Sequence, residues 1–349
     1  MRIPFGMTAF VALVALGAGA AAVRYRDLVR TASKEAPASP GSREPGFAKV
    51  FSVQRFTRGN LHTHTTRSDG DATPKEVVEW YQAHGYGFVA LTDHNVLSGR
   101  GDGDGSESIT VLPSEEITMW ARGLPVHVNG LCLEAVIPGG TFPTPADALS
   151  HAIGAIILEG GVALVNHPNF DWALRPADVI SAAKDGAGLL EIASGHPYVH
   201  SLGDAAHPSH EQLWDSVLTA GYDVMGVAVD DMHHLVTDQD PEAFPGVAWV
   251  QLFGGDLRPE AVCDALRRGE LYASTGPALR SIDVRGRIYA VDPADPDAVV
   301  AFIGSGGRVL ATAAERPARY VLVGDEGYVR ARIETPRGTA WTPAVRVLR

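Results

Sequence analysis

Cysteine is the scarcest chemistry in this chain: Cys132 and Cys263 are the only two among 349 residues. Two thiols without C-x-x-C spacing make no disulfide framework, and they read as small core residues. Positive charge is also short. Lys and Arg number 29 against 41 Asp and Glu, a formal net charge of -12 with a pI of about 5.5. That balance disfavours a polyanionic partner, so no nucleic acid is expected, and an anionic substrate would need local positive charge, most simply from metal ions. The glycine-rich run Asn95 to Ser108 carries a D-x-D pattern but lacks the terminal Glu of an EF-hand, which sets calcium aside. What is present, 45% hydrophobic and 20% charged, suits one large α/β domain plus something small.

The N-terminus is a different material. Ile3 to Val23 is apolar apart from Thr8 and is flanked by Arg2 and by Arg24, Arg26 and Arg30. Residues 1–23 therefore read as a signal peptide or membrane anchor. Ala18 to Ala22 offers small-residue cleavage positions, whereas the basic flank favours a cytoplasmic C-terminal side for an uncleaved anchor. Export, to a periplasmic or extracellular site, or anchoring through this segment is the expectation. Residues 24–56, rich in Pro and Ser between Thr31 and Gly46, read as a flexible linker.

The chemistry starts between Thr57 and Gly70. If Arg58 to Leu61 is a short strand, His62 and His64 leave its end on the same side of the pleat. Two imidazoles so placed can hold one metal ion of the Zn, Fe, Ni or Mn kind, and Asp69 could turn a hard oxygen toward a second. Downstream, Thr73-Pro74-Lys75-Glu76 is a capping box that predicts a helix ending near Gly85. Phe88 to Thr92 predicts a buried strand delivering Asp93 and His94. Ile109 to Leu112 leads into Pro113-Ser114-Glu115-Glu116-Ile117-Thr118, Val126 to Val128 carries His127, and Gly161 to Val165 presents Asn166-His167-Pro168. Helices are expected at Thr144 to Leu158, Pro176 to Lys184, Pro208 to Ala220 and Arg258 to Arg268. Strands are expected at Gly188 to Ile192, Asp223 to Val229, Val247 to Phe253 and Leu271 to Ser274, with Asp230-Asp231-Met232-His233-His234 at the end of the second.

Such alternation over about 220 residues indicates a parallel (β/α) barrel or an open doubly wound sheet. The ligand-type residues fall at the carboxyl ends of different strands, and only a closed barrel gathers most strand ends on one face. From about Ser281 the texture changes to short alternating segments with Gly and Pro turns, a small β-rich appendage over 281–349.

Taken in order, L-H-x-H, T-D-H, P-x-x-E-I-T, the single His of Val126-His127-Val128, N-H-P and D-x-H resemble the polymerase and histidinol phosphatase (PHP) family of metal-dependent hydrolases. The resemblance covers residues 57–280. Leu271 to Pro277, the paired D-D-x-H-H and the trailing β segment look like the branch that includes carbaryl-type ester and carbamate hydrolases. The resemblance implies an α/β fold: a distorted seven-stranded TIM-like barrel with a C-terminal all-β appendage. It also implies a site for two or three divalent ions (Zn, Mn or Fe). His62, His64 and Asp231 would hold the first; Glu116 would bridge to a second held by His127 and His167; Asp69, His94 and His233 would hold the third. Asp69 departs from a position often occupied by His, and Ser114 replaces a common Gly, so Glu116 is chosen over Glu115 on register alone.

The activity so implied is a phosphoesterase that directs a metal-activated hydroxide at a small phosphate ester, with His233 or Asp93 protonating the leaving group. The same metals would serve a carboxylic ester, carbamate or amide, and a non-catalytic envelope binding module is the reading from another class. Asp93 could equally orient a ligand, as could Glu191. Glu115, Asp230 and His234 point away from the ligand face if the strands persist. His196, His200, His207 and His210 share one loop and either border the substrate or, as we read them, are solvated. Arg100, Arg122 and Arg175 are the candidate phosphate clamps, Ser274 and Thr275 read as turn residues, and oligomeric state leaves no trace.

Overall fold

The computed structural model describes residues 44–99, 101, 109–235 and 243–348. The apolar segment 1–23, the linker as far as residue 43, Arg100 and most of the D-x-D run lie outside the described residues. Among the described residues no helix is long and apolar enough to cross a membrane.

Short apolar runs, mostly buried, make seven strands around the site: β1 (Phe56–Asn60), β2 (Phe88–Leu91), β3 (Thr110–Ala121), β4 (Leu124–Leu131), β5 (Val162–Val165), β6 (Leu189–Ser194) and β7 (Met225–Val229). β1, β2 and β3 pair in parallel, β3 and β4 form an antiparallel hairpin, and β4 pairs antiparallel with β5. β5, β6 and β7 are parallel again, so every strand but β4 points the same way. Beyond β7 the chain meets the residues leaving β1. Asp231 N donates to His62 O at 3.0 Å, His64 N donates to Met232 O at 2.8 Å, and Thr63 and Met232 form a parallel bridge.

Among the described residues, five α-helices accompany these strands: α1 (Pro74–Ala83), α2 (Pro145–Leu158), α3 (Pro176–Asp185), α4 (His210–Thr219) and α5 (Pro259–Arg268). All but α4 open on a proline, whose missing N–H would have no partner in the first turn. Thr73 Oγ1 accepts from Glu76 N while the Glu76 carboxylate accepts from Thr73 N, the reciprocal cap expected from the sequence. Inside, Ala90, Leu112, Val128, Leu164 and Leu190 from the strands pack with Leu61 just beyond β1 and with Leu149, Ile153, Val179 and Trp214 from the helices.

β8 (Trp249–Phe253) adds to β1 and β9 (Leu271–Ser274) to β8, both antiparallel. Eight further strands follow: β10 (Leu279–Arg285), β11 (Ile288–Pro293), β12 (Val299–Gly304), β13 (Arg308–Ala313), β14 (Ala318–Val321), β15 (Tyr328–Thr335), β16 (Gly338–Trp341) and β17 (Val345–Leu348). Because β16 pairs with β9, the β structure joins one 16-stranded mixed sheet, with a second sheet of four strands beside it. Arg330 of β15, 1% exposed, reaches α4, where its guanidinium meets Asp215 at 2.8 Å and Glu211 at 2.7 Å. A buried cation is tolerable there because both carboxylates pair with it.

Two expectations need correction. The linker does not run to residue 56: Gly46–Phe47 pairs with β17 and Phe51–Val53 with β10. The Pro- and Ser-rich composition ends at Gly46, and Phe47 and Phe51 then pack on the C-terminal core. Cys132 and Cys263 contact the core as expected, but they are bonded to each other, fastening the end of β4 to α5 across 131 residues. Nothing in the spacing of two such distant thiols announces a pair.

Candidate metal centre

β1 stops at Asn60, and the period of two then carries His62 and His64 to one side. The chain turns back at once. Gly70 N donates to Thr65 O at 3.0 Å, and a Cβ on Gly70 would stand 2.6 Å from the His64 carbonyl carbon, so only glycine fits this approach. That turn returns Asp69 to the site. It is fixed by Asp93, whose buried carboxylate accepts from Thr65 N at 2.8 Å, Thr65 Oγ1 at 2.9 Å, Ser68 Oγ at 3.0 Å and Ser98 Oγ at 2.5 Å. β2 is followed by His94 and β5 by His167; Asp231, at φ 51°, and His233 follow β7. Glu116 lies within β3 rather than at its end, and β4, running in reverse, sets His127 opposite Thr118 near its own start.

All nine side chains expected as ligands come together. They form four overlapping groups: His62, His64 and Glu116; His62, His167 and Asp231; His94, Glu116 and His127; and His64, Asp69, His94 and His233. At the centre, His62 Nε2 lies 3.1 Å from His64 Nε2 and both lie 3.1 Å from Glu116 Oε2. Asp231 Oδ1 is 3.2 Å from the first ring nitrogen and 3.4 Å from the second. Glu116 Oε1 turns instead to His127 Nδ1 at 2.9 Å and His167 Nε2 at 3.3 Å. At the outer edge Asp69 Oδ2 stands 3.5 Å from both His94 Nε2 and His233 Nε2, with Asp69 Oδ1 3.3 Å from His64 Nδ1.

Do these residues fit divalent ions? Tautomers decide it. Glu191 Oε1 sits 2.6 Å from His62 Nδ1, so Nδ1 carries the proton and a neutral ring points its Nε2 lone pair inward. There it meets another imidazole nitrogen and two carboxylate oxygens: an assembly of electron pairs that only a cation, or protons standing in for one, can hold. Donors about 2.1 Å from one ion stand about 3.0–3.4 Å apart at octahedral or tetrahedral angles, which matches the observed 3.1–3.4 Å. The His127 Nδ1 atom adds a second sign. It is buried without a hydrogen-bond partner although it faces Glu116 Oε1 at 2.9 Å.

The electrostatics agree. Burial pulls the His62 pKa down, but Asp231, Glu116 and Glu191 outweigh it and hold the ring well above its ordinary value. Burial is likewise overcome at His64, His94 and His167 by their carboxylate neighbours, and all three are raised. Burial would raise Glu116 and Asp231, yet the surrounding rings hold both well below the usual carboxylate range. His127 goes the other way, because burial, helped by His167 and His94, exceeds the pull of Glu116.

Contacts link Asp231 to His62 and His64, Glu116 Oε1 to His127 and His167, and Asp69 to His94 and His233, and the groups overlap because Glu116 Oε2 also meets His62 and His64. Asp93 is outside every group, and its oxygens accept from hydroxyl and amide donors that hold the 65–70 turn. Glu115 faces away, as register requires, accepting from Ile137 N at 2.5 Å, and burial pushes its carboxyl up to about 7. Asp230 also faces away, toward Asn60 and Tyr81. His234 instead stands 3.6 Å from Asp71. Of the proposed phosphate clamps, Arg122 donates to Pro143 O at 3.3 Å and Arg175 caps α3.

Sequence reasoning passed over Asn166, whose Nδ2 donates to Glu116 Oε1 at 2.8 Å, and Thr118, whose hydroxyl meets His94 Nδ1 at 2.7 Å. Both lie inside motifs already singled out, N-H-P and E-I-T. Their signal was adjacency to a ligand. Of the loop histidines, His200 is exposed and His207 partly so, each stacked on Trp172 at 4.6 and 4.0 Å, whereas His210 is buried.

No family model matches the sequence. Among curated proteins, a 5'-3' exoribonuclease of Haemophilus influenzae is 25% identical over 170 residues, 46% of this chain and 62% of that protein. The match thus spans less than two thirds of that relative's length. Among solved structures, a two-domain protein from Bacteroides vulgatus containing a PHP-like metal-dependent phosphoesterase superposes with a TM-score of 0.48 at 16% identity, over 88% of this chain and 99% of that one. A metal-dependent phosphoesterase from Bifidobacterium adolescentis gives 0.42 at 17%, over 59% and 95% of the two chains. An amidohydrolase from Chromobacterium violaceum, with bound sulfate and no metal, gives 0.42 at 18%, over 60% and 96%. None of these bears on a carbaryl-type branch. Likeness at this level carries no chemistry; the donor geometry does.

Proposed function

We propose that this chain is a metal-dependent hydrolase of the PHP type, a phosphoesterase acting on a small phosphate ester. One observation carries the reading: nine donors converge in four overlapping groups, and the innermost consists of electron pairs alone. Divalent ions, two or three per chain and of the Zn, Mn or Fe kind, supply when bound a field that acidifies water and offsets phosphate charge. The chain's own residues prepare that field. Glu191 fixes the His62 tautomer, Glu116 presents one oxygen to each of two groups, and Asp93 locks the turn that carries Asp69. His233 lies at the more open edge, its side chain 16% exposed, and is the group we assign to return a proton to the departing oxygen.

In the same proposal β1 to β7 form the closed, distorted seven-stranded barrel, with the Thr63–Met232 bridge as its seam, and residues 281–349 form the β appendage. Export or anchoring is supported by the apolar run in residues 1–23 and by the Cys132–Cys263 bond, which persists in oxidising compartments. The partner is a small ester, without nucleic acid.

The test is turnover by metal-loaded protein of an aryl phosphate, an aryl carboxylic ester and a 5'-phosphorylated oligoribonucleotide, the last because the Haemophilus relative is an exoribonuclease. Phosphate release from the first, abolished in His167→Ala with the fold retained, is the expected result. Ester turnover alone would move the assignment to the carboxylic ester and carbamate alternative. No turnover of any of them would leave a binding module.

A further inference from the structure

The ligand cluster is not equally buried on all sides. Side-chain exposure is 0% at His62 and His64, 1% at Glu116 and 5% at Asp231, but 16% at His233, 25% at His94 and 51% at Asp69. Solvent, and therefore substrate, meets the site along the Asp69 edge.

A row of rings begins at that edge. His196, on the loop that follows β6, stands edge-on to the His233 ring at 5.2 Å and 66°. Tyr198 stands edge-on to His196 at 5.7 Å and 62°, and it is 54% exposed. Single exposed aromatics are common and need no explanation. This one ends a continuous path of rings that starts on a residue of the metal centre. With more than half of its surface exposed, Tyr198 is open to a further planar partner, which gains quadrupole energy that a saturated ring of the same size does not reproduce.

Resting on the hydrolase reading above, we propose that His196 and Tyr198 form a stacking surface for a planar aromatic group carried on the ester, so that Tyr198 is a specificity residue rather than a catalytic one. The substrate class narrows accordingly, from small phosphate esters in general to those bearing an aromatic ring close to the phosphate.

The test is calorimetric binding of phenylphosphonate and cyclohexylphosphonate, neither of which is hydrolysed, to manganese-loaded full-length wild type, Tyr198→Ala and Tyr198→Phe. The expected result is phenylphosphonate affinity about two- to tenfold weaker in Tyr198→Ala, restored in Tyr198→Phe, with cyclohexylphosphonate unchanged throughout. Equal weakening of both ligands, no weakening of either, or no binding of phenylphosphonate to wild type would overturn the proposal. Phenyl phosphate turnover, read in parallel, separates the two claims: preserved stacking without turnover strikes the hydrolase reading and leaves the stacking surface standing.

Discussion

Replacing Glu191 by Gln should loosen the metal centre without removing any ligand. Glu191 is fully buried; its Oε1 accepts from His62 Nδ1 at 2.6 Å and its Oε2 from the backbone N–H of His167 at 2.7 Å. Glutamine keeps the shape but offers one oxygen and one amide NH2. The backbone N–H cannot change its role, so the oxygen must serve His167 and the NH2 must face His62. His62 then accepts at Nδ1 and carries its proton on Nε2, aimed at His64, Glu116 and Asp231. That proton must be displaced before an ion can bind. Loss of such an orienting partner weakens metal affinity about 10- to 100-fold, or about 1.4–2.7 kcal/mol. Zinc titration against a chromogenic chelator reads the affinity, and far-UV circular dichroism checks the fold. An affinity within about twofold of wild type in a folded Glu191→Gln protein would refute the tautomer argument.

Two further predictions concern stability. Reducing the Cys132–Cys263 bond, which closes a loop of 131 residues, should lower stability by about 5 kcal/mol on the chain-entropy account; an unchanged urea midpoint with and without reductant would contradict it. His210, fully buried, has a pKa pushed down to about 3 by burial, with His167 adding to the shift. Between pH 3 and 6.5 the unfolded chain binds a proton there that the folded chain does not. The contribution of His210 is therefore present above about pH 6.5 and lost as pH falls, by about 2 kcal/mol at pH 5. His210→Gln should flatten the urea midpoint between pH 7 and 5; an unaltered slope would remove His210 from the account.

Much of the site was legible because ligand positions obey local rules. His62 and His64 share a side through the strand period, and the same period places Glu116 inward and Glu115 outward. The capping box at Thr73 and the proline at the start of α2 marked their helices without reference to the rest of the chain. What escaped depends on contacts between distant residues. β3 continues through Pro113 and folds back as a hairpin, so His127 arrives on a reversed strand that a βα rhythm does not foresee. The Cys132–Cys263 bond depends on where α5 packs, against β3 and β5. Asp93 sits beside a ligand in the sequence; only the fold reveals that Thr65, Ser68 and Ser98 converge on its oxygens.

Metal content tests the central claim most directly. Full-length protein, purified without chelator and measured by elemental analysis, should hold two or three equivalents of a divalent transition metal per chain, and Glu116→Gln should lose most of it. Less than one equivalent in the folded wild type, with none taken up on adding zinc or manganese, would contradict the account.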